Sequence, residues 1–432
     1  MTFKIGLLGY GTVGTGTAEI ILDPEGRNSL LQDIKIARVG VKTLNKARSP
    51  ELPSGVITKD LEGIVTDPEI KIVVELLGGL EPSRSLILKA IKHGKHVVTA
   101  NKAVIARHGE EIFDAANKEG VYVLLEAAVG GGIPVIKPLK QSLGVNRIQT
   151  VIGIVNGTTN YILTQMTQEG ANFDEVLTEA QKLGYAEADP TADVDGYDAA
   201  DKIAILAAIA FDGRIKREDI SCEGIRQVNA TDISYANNLG FVIKLLAIAK
   251  ANSNDDSLQV RVHPTLVAKD HPLANVNDVY NAILVEGEPL GQVMFFGPGA
   301  GKGATASAVV SDILNIVGML QTSRGQEINQ LDPLLSCSHE HFKQLTPIVE
   351  INSRFYARFL CQDVPGVIGH LGTSFGNHNV SLESVVQIGF RNDLAEIVVV
   401  THDVKEGNFR KALEEIESLE SIDSIPSILR VL

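Results

Sequence analysis

The sequence predicts an α/β protein with a parallel-sheet domain, a following α+β domain and a small terminal βαββαβ module. Three observations carry this prediction. Short apolar strand patterns alternate with helical patterns before residue 132, and a glycine-rich turn joins the first strand to the first helix. Residues 351–432 then run in the order strand, helix, strand, strand, helix, strand, which is the ferredoxin-like arrangement.

The composition narrows the class of protein. The chain has 432 residues, of which 44% are hydrophobic and 21% charged, as in ordinary soluble domains. The net charge of −14 argues against nucleic acid as the main partner. We see no secretion signal at the N-terminus and expect no apolar run long enough to span a bilayer. A cytoplasmic protein that binds small molecules is the expectation.

The cysteines also favour a cytoplasmic protein. Cys222, Cys337 and Cys361 are far apart and odd in number, so they predict neither a disulfide framework nor a zinc site. They fit a reducing compartment. We expect no Cys/His or Ser/His/Asp arrangement of a nucleophilic enzyme.

Residues 1–132 form the first predicted domain. Its strands are short and nearly all apolar, which is typical of a parallel sheet covered on both faces. The predicted strands are Lys4–Leu8, Ile34–Val41, Ile72–Leu76, His96–Thr99 and Val121–Glu126, and the helices are Val13–Leu22, Ser83–His93 and Ile105–Glu119.

Residues 133–322 form the second predicted domain, of α+β character. Its helix near residues 304–322 is a candidate to pack back on the first domain. We predict residues 323–350 to be a linker, because they are polar and contain Pro333 and Pro347, and residues 351–432 to be the third domain. Strands are predicted at Val151–Val155, Leu258–Val267 and Ala282–Val285, and helices at Thr159–Glu169, Phe173–Gly184, Asp198–Phe211 and Ala304–Leu320.

The first glycine-rich turn has the spacing of a dinucleotide site. Gly9, Gly11 and Gly14 follow a strand and open a helix, as the Rossmann-type fingerprint requires. The helix start, with Thr12 and Val13, offers backbone N–H groups to a pyrophosphate. The alternative is a turn that merely needs small residues.

The end of the second strand bears on which nicotinamide cofactor binds. NAD sites usually carry an acid there for the ribose 2′-hydroxyl, but this chain has Lys42. Lys42 could pair with a 2′-phosphate, so NADP is favoured, with NAD possible. The alternative is a solvated lysine.

A second glycine cluster, residues 297–303, lacks the spacing of a P-loop. Gly301 precedes a helix and could meet a cofactor through backbone N–H groups. A plain connecting loop is the equal alternative.

Acids and lysines mark the predicted reaction site. Asp198 and Lys202 are four residues apart and share a helix face at the start of an apolar helix, so they are candidates for a cleft floor. Lys102 follows the strand His96–Thr99, at the sheet edge where ligands of open α/β sheets bind. The alternatives are an ordinary ion pair and a solvated lysine.

Several blocks, taken in order, resemble the homoserine dehydrogenase family, and residues 351–432 resemble an ACT domain. The resemblance covers about the first 320 residues, and its most specific part runs from Gly184 to Lys202. The blocks are Gly9–Gly14, Asn101–Lys102, Glu126–Pro134, Asn156–Tyr161 and Gly184–Lys202.

This resemblance implies reversible NAD(P)-dependent reduction of L-aspartate 4-semialdehyde to L-homoserine, in threonine, methionine and isoleucine biosynthesis. It implies a proton role for Lys202, shared with Lys102, and a homodimer or homotetramer. It also implies the following sets: Glu187, Asp193 and Asp198 for substrate, Gly153 and Gly301 for cofactor, and backbone carbonyls near Glu126, Val129, Gly131 and Ile133 for a sodium ion.

For the ACT domain, the resemblance implies an amino-acid effector near Asp363, Gly366, Asn377 and Asn379. L-threonine, the pathway end product, is the expected feedback inhibitor. The alternative is a module that only builds the oligomer. Two rival functions stay open: another NADP-dependent amino-acid dehydrogenase, and a non-catalytic NADP-binding amino-acid sensor.

Overall fold

The computed structural model describes residues 2–44, 46–253, 255–322, 331–337, 339–391 and 393–432. Residues 323–330 and Ser338 of the predicted linker therefore lie outside the described residues. The chain divides into two compact units. Unit 1 comprises residues 1–151, 201–218 and 280–343, and unit 2 comprises residues 152–200, 219–279 and 344–432.

Unit 1 contains the predicted parallel sheet, with strand order β3-β2-β1-β4-β5-β6. All of its pairings are parallel, because each strand returns through a crossover. The strands are β1 (Phe3–Leu8), β2 (Ile34–Gly40), β3 (Ile57–Thr58), β4 (Ile70–Glu75), β5 (His96–Thr99) and β6 (Val123–Leu124), and the helices are α1 (Thr12–Leu22), α2 (Leu61–Thr66), α3 (Ser83–Lys92) and α4 (Lys102–Glu119).

The middle region follows with β7 (Arg147–Ile154), which crosses the unit boundary. Unit 2 pairs β9 and β10 antiparallel, and unit 1 pairs β11 and β12 antiparallel. The elements are α5 (Gly157–Glu169), α6 (Phe173–Leu183), α7 (Thr191–Val194), α8 (Tyr197–Ala210), β8 (Ser221–Cys222), α9 (Ala230–Asn238), β9 (Phe241–Ala251), β10 (Leu258–Ala268), β11 (Tyr280–Glu288), β12 (Gly291–Pro298) and α10 (Lys302–Thr322).

Helix α10 has the length and apolar composition of a membrane-crossing helix, so our expectation that no apolar run reaches that length is wrong. It is the one such helix in the described parts of the chain. Its residues Val309, Ile313 and Val317 are buried in the core of unit 1 together with Leu7 of β1. Gly16 of α1 allows this packing, since a Cβ there would lie 2.9 Å from the Lys302 carbonyl oxygen. Helix α10 is therefore a core helix in unit 1.

The terminal module is βαββαβ, as predicted, with a two-residue strand inserted. Its sheet order, β17-β13-β15-β14, is ferredoxin-like. Strand β17 also pairs in parallel with β10, at Thr265↔Arg430 and Leu266↔Val431. The module is thus joined to the middle region of unit 2 by a shared sheet. Its elements are β13 (Asn352–Gln362), α11 (Val367–Asn377), β14 (Leu382–Arg391), β15 (Leu394–Thr401), β16 (Val404–Lys405), α12 (Glu406–Glu417) and β17 (Ile422–Val431).

Candidate active site

The first glycine-rich turn lies at the carboxyl edge of the parallel sheet. Gly9 has φ +111°, a conformation that favours glycine, and its N–H donates to the Gly40 carbonyl at 3.0 Å. A Cβ on Gly14 would lie 2.3 Å from the Gly9 carbonyl oxygen, so the helix can approach the strand only with glycine there. A Cβ on Gly11 would meet nothing within 4 Å, which leaves open space above the turn.

The start of α1 is suited to an anion. Gly11 is its N-cap residue and supplies no side-chain hydrogen bond to the first turn. The N–H groups of Thr12 and Val13 therefore have no side-chain cap from that residue, and the helix dipole favours negative charge at this end. These features suit a pyrophosphate group.

Three cationic residues, Lys42, Lys46 and Arg48, follow β2. Lys42 is exposed and lies two residues after the strand ends. Arg48 folds back over the loop, and its guanidinium donates to the carbonyls of Leu44 and Lys46 at 3.1 and 2.8 Å. The electrostatic environment expected beside the adenosine ribose is therefore positive.

The neighbouring strand ends carry a polar network that the sequence analysis did not predict. Glu75, fully buried at the end of β4, accepts from Thr99 Oγ1 at 2.7 Å and from the Leu77 N–H at 2.8 Å. Thr99 Oγ1 accepts in turn from the Asn101 N–H, and Asn101 caps α4 through Val104 N. Lys102, the first residue of α4, is thereby fixed at the carboxyl edge of the sheet.

Asp201 in unit 1 links the helices that carry the two candidate lysines. Its carboxylate is buried and bonded to Arg107 of α4 at 2.9 Å and to Arg217 at 2.7 Å. Lys202, the next residue on α8, is itself buried, with 8% exposure. The sequence shows an acid, Asp201, directly before Lys202. The two arginines that bond to Asp201 are 94 and 16 residues away in the chain, so local sequence does not reveal the contact.

In unit 2, one amide holds two of the predicted substrate acids. Asn156 Nδ2 donates to Asp193 Oδ1 at 2.6 Å and to Asp198 Oδ2 at 2.8 Å. Its Oδ1 accepts from the Thr159 N–H at 2.8 Å and so caps α5. Asn156 and Asp198 are both buried. The structure thus brings Asp193 and Asp198 together, and Lys202 lies one turn beyond Asp198 along α8.

The other predicted residues of this region are placed differently. Glu187 is exposed in the turn after α6, where Gln181 Nε2 donates to its carbonyl at 3.0 Å. Gly153 is buried in β7, three residues before Asn156.

The loop that follows β6 contains the predicted cation site. The carboxylate of Glu126 is buried and accepts from the N–H groups of Val135, Ile136 and Lys137 at 2.7 to 3.0 Å. Its backbone N–H donates to Asp312 Oδ2, and burial raises the pKa of Asp312 to about 6. The Glu126 side chain therefore holds the loop through these three N–H groups.

The backbone carbonyls predicted to hold the cation belong to three residues of this loop. Val129, Gly131 and Ile133 are buried, and among the described residues no hydrogen bond reaches their carbonyl oxygens. No cluster of three His, Cys, Asp or Glu side chains that could hold a metal occurs within the described ranges. Buried carbonyls without donors fit a hard monovalent cation better than they fit a transition metal.

The second glycine cluster packs on this loop. A Cβ on Gly131 would lie 2.4 Å from the Gly299 carbonyl oxygen, and the Gly132 N–H donates to the Pro298 carbonyl at 3.1 Å. Gly301, with φ +113°, precedes α10. The glycine cluster of residues 297–303, which contains the predicted cofactor residue Gly301, is therefore in direct contact with the predicted cation loop.

The predicted effector residues lie around α11. Gly366, with φ +96°, is the N-cap of α11, and Asp363 is exposed just before it. Asn377 Nδ2 donates to Glu415 of α12 at 3.0 Å, and Asn379 has φ +57°.

Two residues outside the predicted site, Cys337 and His339, lie beside charged groups of unit 1. His339 Nδ1 lies 2.8 Å from Asp212 Oδ1, and Lys140 Nζ lies 3.4 Å from Cys337 Sγ. These contacts do not form the arrangement of a nucleophilic enzyme, and the expectation that the chain has none stays a prediction.

Comparison with known proteins agrees with this geometry. Family models described as homoserine dehydrogenase, NAD binding domain, as homoserine dehydrogenase, and as ACT domain match residues 9–126, 134–314 and 355–421. The chain is 70% identical to the homoserine dehydrogenase of Synechocystis sp. over all of both chains, and 38% identical to that of Bacillus subtilis over 96% of this chain and 94% of the relative.

Solved structures give the same result. A homoserine dehydrogenase from Thiobacillus denitrificans is 40% identical, covers 100% of this chain and 98% of its own, and superposes with a TM-score of 0.89. A hyperthermophilic archaeal homoserine dehydrogenase in complex with NADPH is 27% identical, covers 74% of this chain and 98% of its own, and has a TM-score of 0.62. The predicted fold class is confirmed, and the chain belongs to the homoserine dehydrogenase family of NAD(P)-dependent oxidoreductases, with a C-terminal ACT domain.

Proposed function

We propose that Lys202 is the proton donor and acceptor in the interconversion of L-aspartate 4-semialdehyde and L-homoserine, with Lys102 sharing this role. The nicotinamide supplies or takes the hydride when bound. Negative charge then develops on the carbonyl oxygen, and a lysine within hydrogen-bond reach stabilises that charge and delivers the proton. The Asp201 clamp on Arg107 and Arg217 supports this proposal because it fixes both lysine-bearing helices.

Asp198 and Asp193 are proposed to bind the polar ends of the substrate, with Glu187 closing from the exposed turn. The observation that carries this proposal is the Asn156 amide, which orients both carboxylates without adding charge. An anionic pair held in this way suits the ammonium group of an amino-acid substrate.

NADP is the proposed cofactor, with NAD use at lower efficiency. Lys42 and the neighbouring Arg48 support this preference, because a 2′-phosphate needs cations where an NAD site has an acid. Gly9, Gly11, Thr12, Val13 and Gly14 hold the pyrophosphate. Gly153 and Gly301 are proposed to close over the nicotinamide half.

A sodium ion is proposed for the carbonyls of Val129, Gly131 and Ile133 and the backbone near Glu126. Its support is the absence of donors to those three carbonyls among the described residues. The ion would stabilise the turn against which the Gly299–Gly301 segment packs.

The ACT domain is proposed to bind L-threonine near Asp363, Gly366, Asn377 and Asn379 and to inhibit turnover. A chain of contacts within unit 2 supports communication with the substrate acids. Arg430 of β17 bonds to both oxygens of Glu223 at 2.8 Å. Residues next to Glu223 contact the α7 segment: Arg226 bonds to Asp195 at 2.5 Å, and the Ile225 N–H donates to the Val194 carbonyl.

A homodimer or homotetramer is the proposed assembly, in the cytoplasm. Strand β14 is the outer strand of the ferredoxin-like sheet and exposes Val386 and Phe390, at 39% and 63%. An exposed apolar sheet edge favours pairing with a second copy.

The test is NADP⁺ reduction by L-homoserine with the full chain, with NAD⁺ in parallel, with sodium replaced by a larger organic cation, and with L-threonine added. We expect turnover that prefers NADP⁺, depends on sodium and falls with threonine. Turnover indifferent to threonine would remove the feedback proposal and leave the enzyme. Cofactor binding without homoserine turnover would contradict the residue roles.

A further inference from the structure

A cavity of about 360 Å³ in unit 1 lies outside the predicted reaction site. Its apolar floor is formed by α4 and α8, starting at Ile105 and Ala204, within a turn of Lys102 and Lys202 along the helices. Its charged lining comprises four cations and two acids: Arg107, Arg214, Lys216, Arg217, Glu110 and Glu218. Cys337 and His339 complete the wall. Three of the four cations also pair with acids outside the lining: Arg107 and Arg217 with Asp201, and Arg214 with Asp114.

The segment that carries Cys337 is held in place from several sides. Asn117 Nδ2 donates to the Cys337 carbonyl at 2.8 Å, and Lys140 Nζ donates to the carbonyls of Leu335 and Ser336 at 3.0 and 2.6 Å. Arg214 Nε donates to the His339 carbonyl at 2.7 Å. The thiol and the imidazole are thus parts of an ordered site.

The groups around the sulfur favour a thiolate. Burial alone would raise the pKa of the Cys337 thiol, but His339 and Lys140 outweigh it and the pKa is lowered. Burial alone would lower the pKa of His339, but Cys337 and Asp212 outweigh it and raise the pKa. The geometry agrees with the direction for the thiol, because Lys140 Nζ lies 3.4 Å from Cys337 Sγ and a nearby cation stabilises a thiolate.

We propose that Cys337 is a site of reversible modification by small acidic disulfides, with the cavity receiving the attached group. The sulfur attacks one sulfur of the disulfide, and the disulfide bond breaks. The second half leaves as a thiolate with the electron pair of that bond and takes a proton from solvent. Cys337 is thereby oxidised to a mixed disulfide, and the small disulfide is reduced to one thiol.

The modification is expected to affect turnover through Asp201. Arg107 and Arg217 line the cavity and also hold the Asp201 carboxylate beside Lys202. A carboxylate brought in on Cys337 competes for these guanidinium groups and loosens the clamp. This consequence goes beyond the proposed reaction and does not depend on the threonine proposal.

The first experiment measures alkylation of the full-length protein by iodoacetamide from pH 5 to 9, with each cysteine followed by peptide mass spectrometry. Cys337 is expected to react with a midpoint below the ordinary thiol value of about 8.5. Cys361 is the internal control, because it is fully buried and burial and Asp363 raise the pKa of its thiol. A Cys337 midpoint at or above 8.5 would overturn the proposal.

Variants separate the contributions. His339→Gln and Lys140→Met should each move the Cys337 midpoint upward, whereas Lys140→Arg keeps the cation and should leave it near that of wild type. Asp212→Asn removes the charge of the exposed carboxylate that pairs with the His339 imidazole, and this surface change carries little risk to folding. Midpoints unchanged in His339→Gln and Lys140→Met would contradict the assigned roles.

The second experiment compares three disulfides: glutathione disulfide, 2-hydroxyethyl disulfide and cystamine, which are anionic, neutral and cationic. The anionic reagent should react with Cys337 about fivefold faster than the cationic one at low salt, and the gap should narrow at high salt. Its adduct should lower turnover, dithiothreitol should restore it, and Cys337→Ser should be insensitive. Faster reaction of cystamine would overturn the acidic class, and an adduct with full turnover would overturn the link to Asp201.

Discussion

Unit 2 holds pairs of carboxylates in two different ways. At the substrate end, Asp193 and Asp198 share the neutral amide of Asn156. Where the ACT domain meets the rest of unit 2, the guanidinium of Arg358 bonds to Asp232 at 2.7 Å and to Glu396 at 3.1 Å. The arginine is fully buried, with 0% exposure. A neutral donor fixes the direction of a carboxylate and keeps its charge, whereas one guanidinium shared by two carboxylates offsets half of their combined charge. The first arrangement suits binding and the second suits attachment of a domain.

The largest effect on turnover is expected at Lys202, one turn beyond Asp198 along α8. Lys202→Ala should lower kcat by about 10² to 10⁴, because the group that stabilises and protonates the developing oxyanion is lost. NADPH affinity, measured by fluorescence titration, should change little. Lys182→Ala, on the exposed last turn of α6, is the control. A parallel loss of turnover and cofactor affinity would contradict the role given to Lys202.

Breaking the arginine cluster should instead damage stability. Arg358→Met leaves Asp232 and Glu396 buried without their cation and should lower the free energy of unfolding by about 3 to 5 kcal/mol. Turnover per folded molecule should be retained. Arg354→Met on the same strand removes an exposed pair with Glu383 and should cost under about 1 kcal/mol. Urea denaturation measures the free energy of unfolding of both variants. Similar losses in the two would contradict a special role of the Arg358 cluster in stability.

A buried histidine in unit 1 is expected to make the folded protein less stable in acid. His96 Nδ1 accepts from the Tyr122 N–H at 3.0 Å, and burial, with a smaller contribution from Lys71, lowers the pKa of His96 to about 4. Between about pH 6.5 and 4 the unfolded chain binds a proton here that the folded chain does not. Stability should therefore fall by about 3 kcal/mol over this window as the pH drops.

Comparison with His96→Gln isolates this effect. The variant should have a shallower dependence of unfolding free energy on pH between 7 and 4.5, even if it is less stable at pH 7. Identical slopes for the two proteins would show that His96 is protonated in the folded state.

The smallest effect is expected from the amide. Asn156→Asp keeps the helix cap but places a third carboxylate between Asp193 and Asp198, so kcat/KM should fall about ten- to hundredfold. Stability should fall as well, because the new carboxylate is buried beside two others and cannot donate a hydrogen bond to either. Asn229→Asp is the matched control, because Asn229 caps α9 through the Asp232 N–H and does not contact these acids. Equal kinetic losses in the two variants would point to a general effect of N-cap charge.

The sequence predicted the parts of this molecule that depend on local pattern. The Gly9–Gly14 turn, the parallel strands and the order of the terminal module follow from spacing over a few residues, and the structure confirms them. Strand β9 was missed because Phe241–Ala251 is a nearly continuous apolar run, which periodicity cannot assign to strand or helix. Strand Val121–Glu126 was predicted too long, since Glu126 already begins a helical turn.

The contacts missed at the site have a common cause. Glu75, Asp201 and His339 all interact with residues distant in the chain, and no local pattern records such partners. The charged residues were visible, but whether an amide, an arginine or a thiol faces them is decided by the fold. The individual roles of all the predicted site residues stay predictions.

The parallel pairing of β17 with β10 limits how the ACT domain can act on the rest of unit 2. The pairs Thr265–Arg430 and Leu266–Val431 join the two strands edge to edge. If the module binds an effector as proposed, a rotation of the whole domain would break this pairing. A small shear within the continuous sheet keeps the pairing, and it would tune substrate affinity in a graded way.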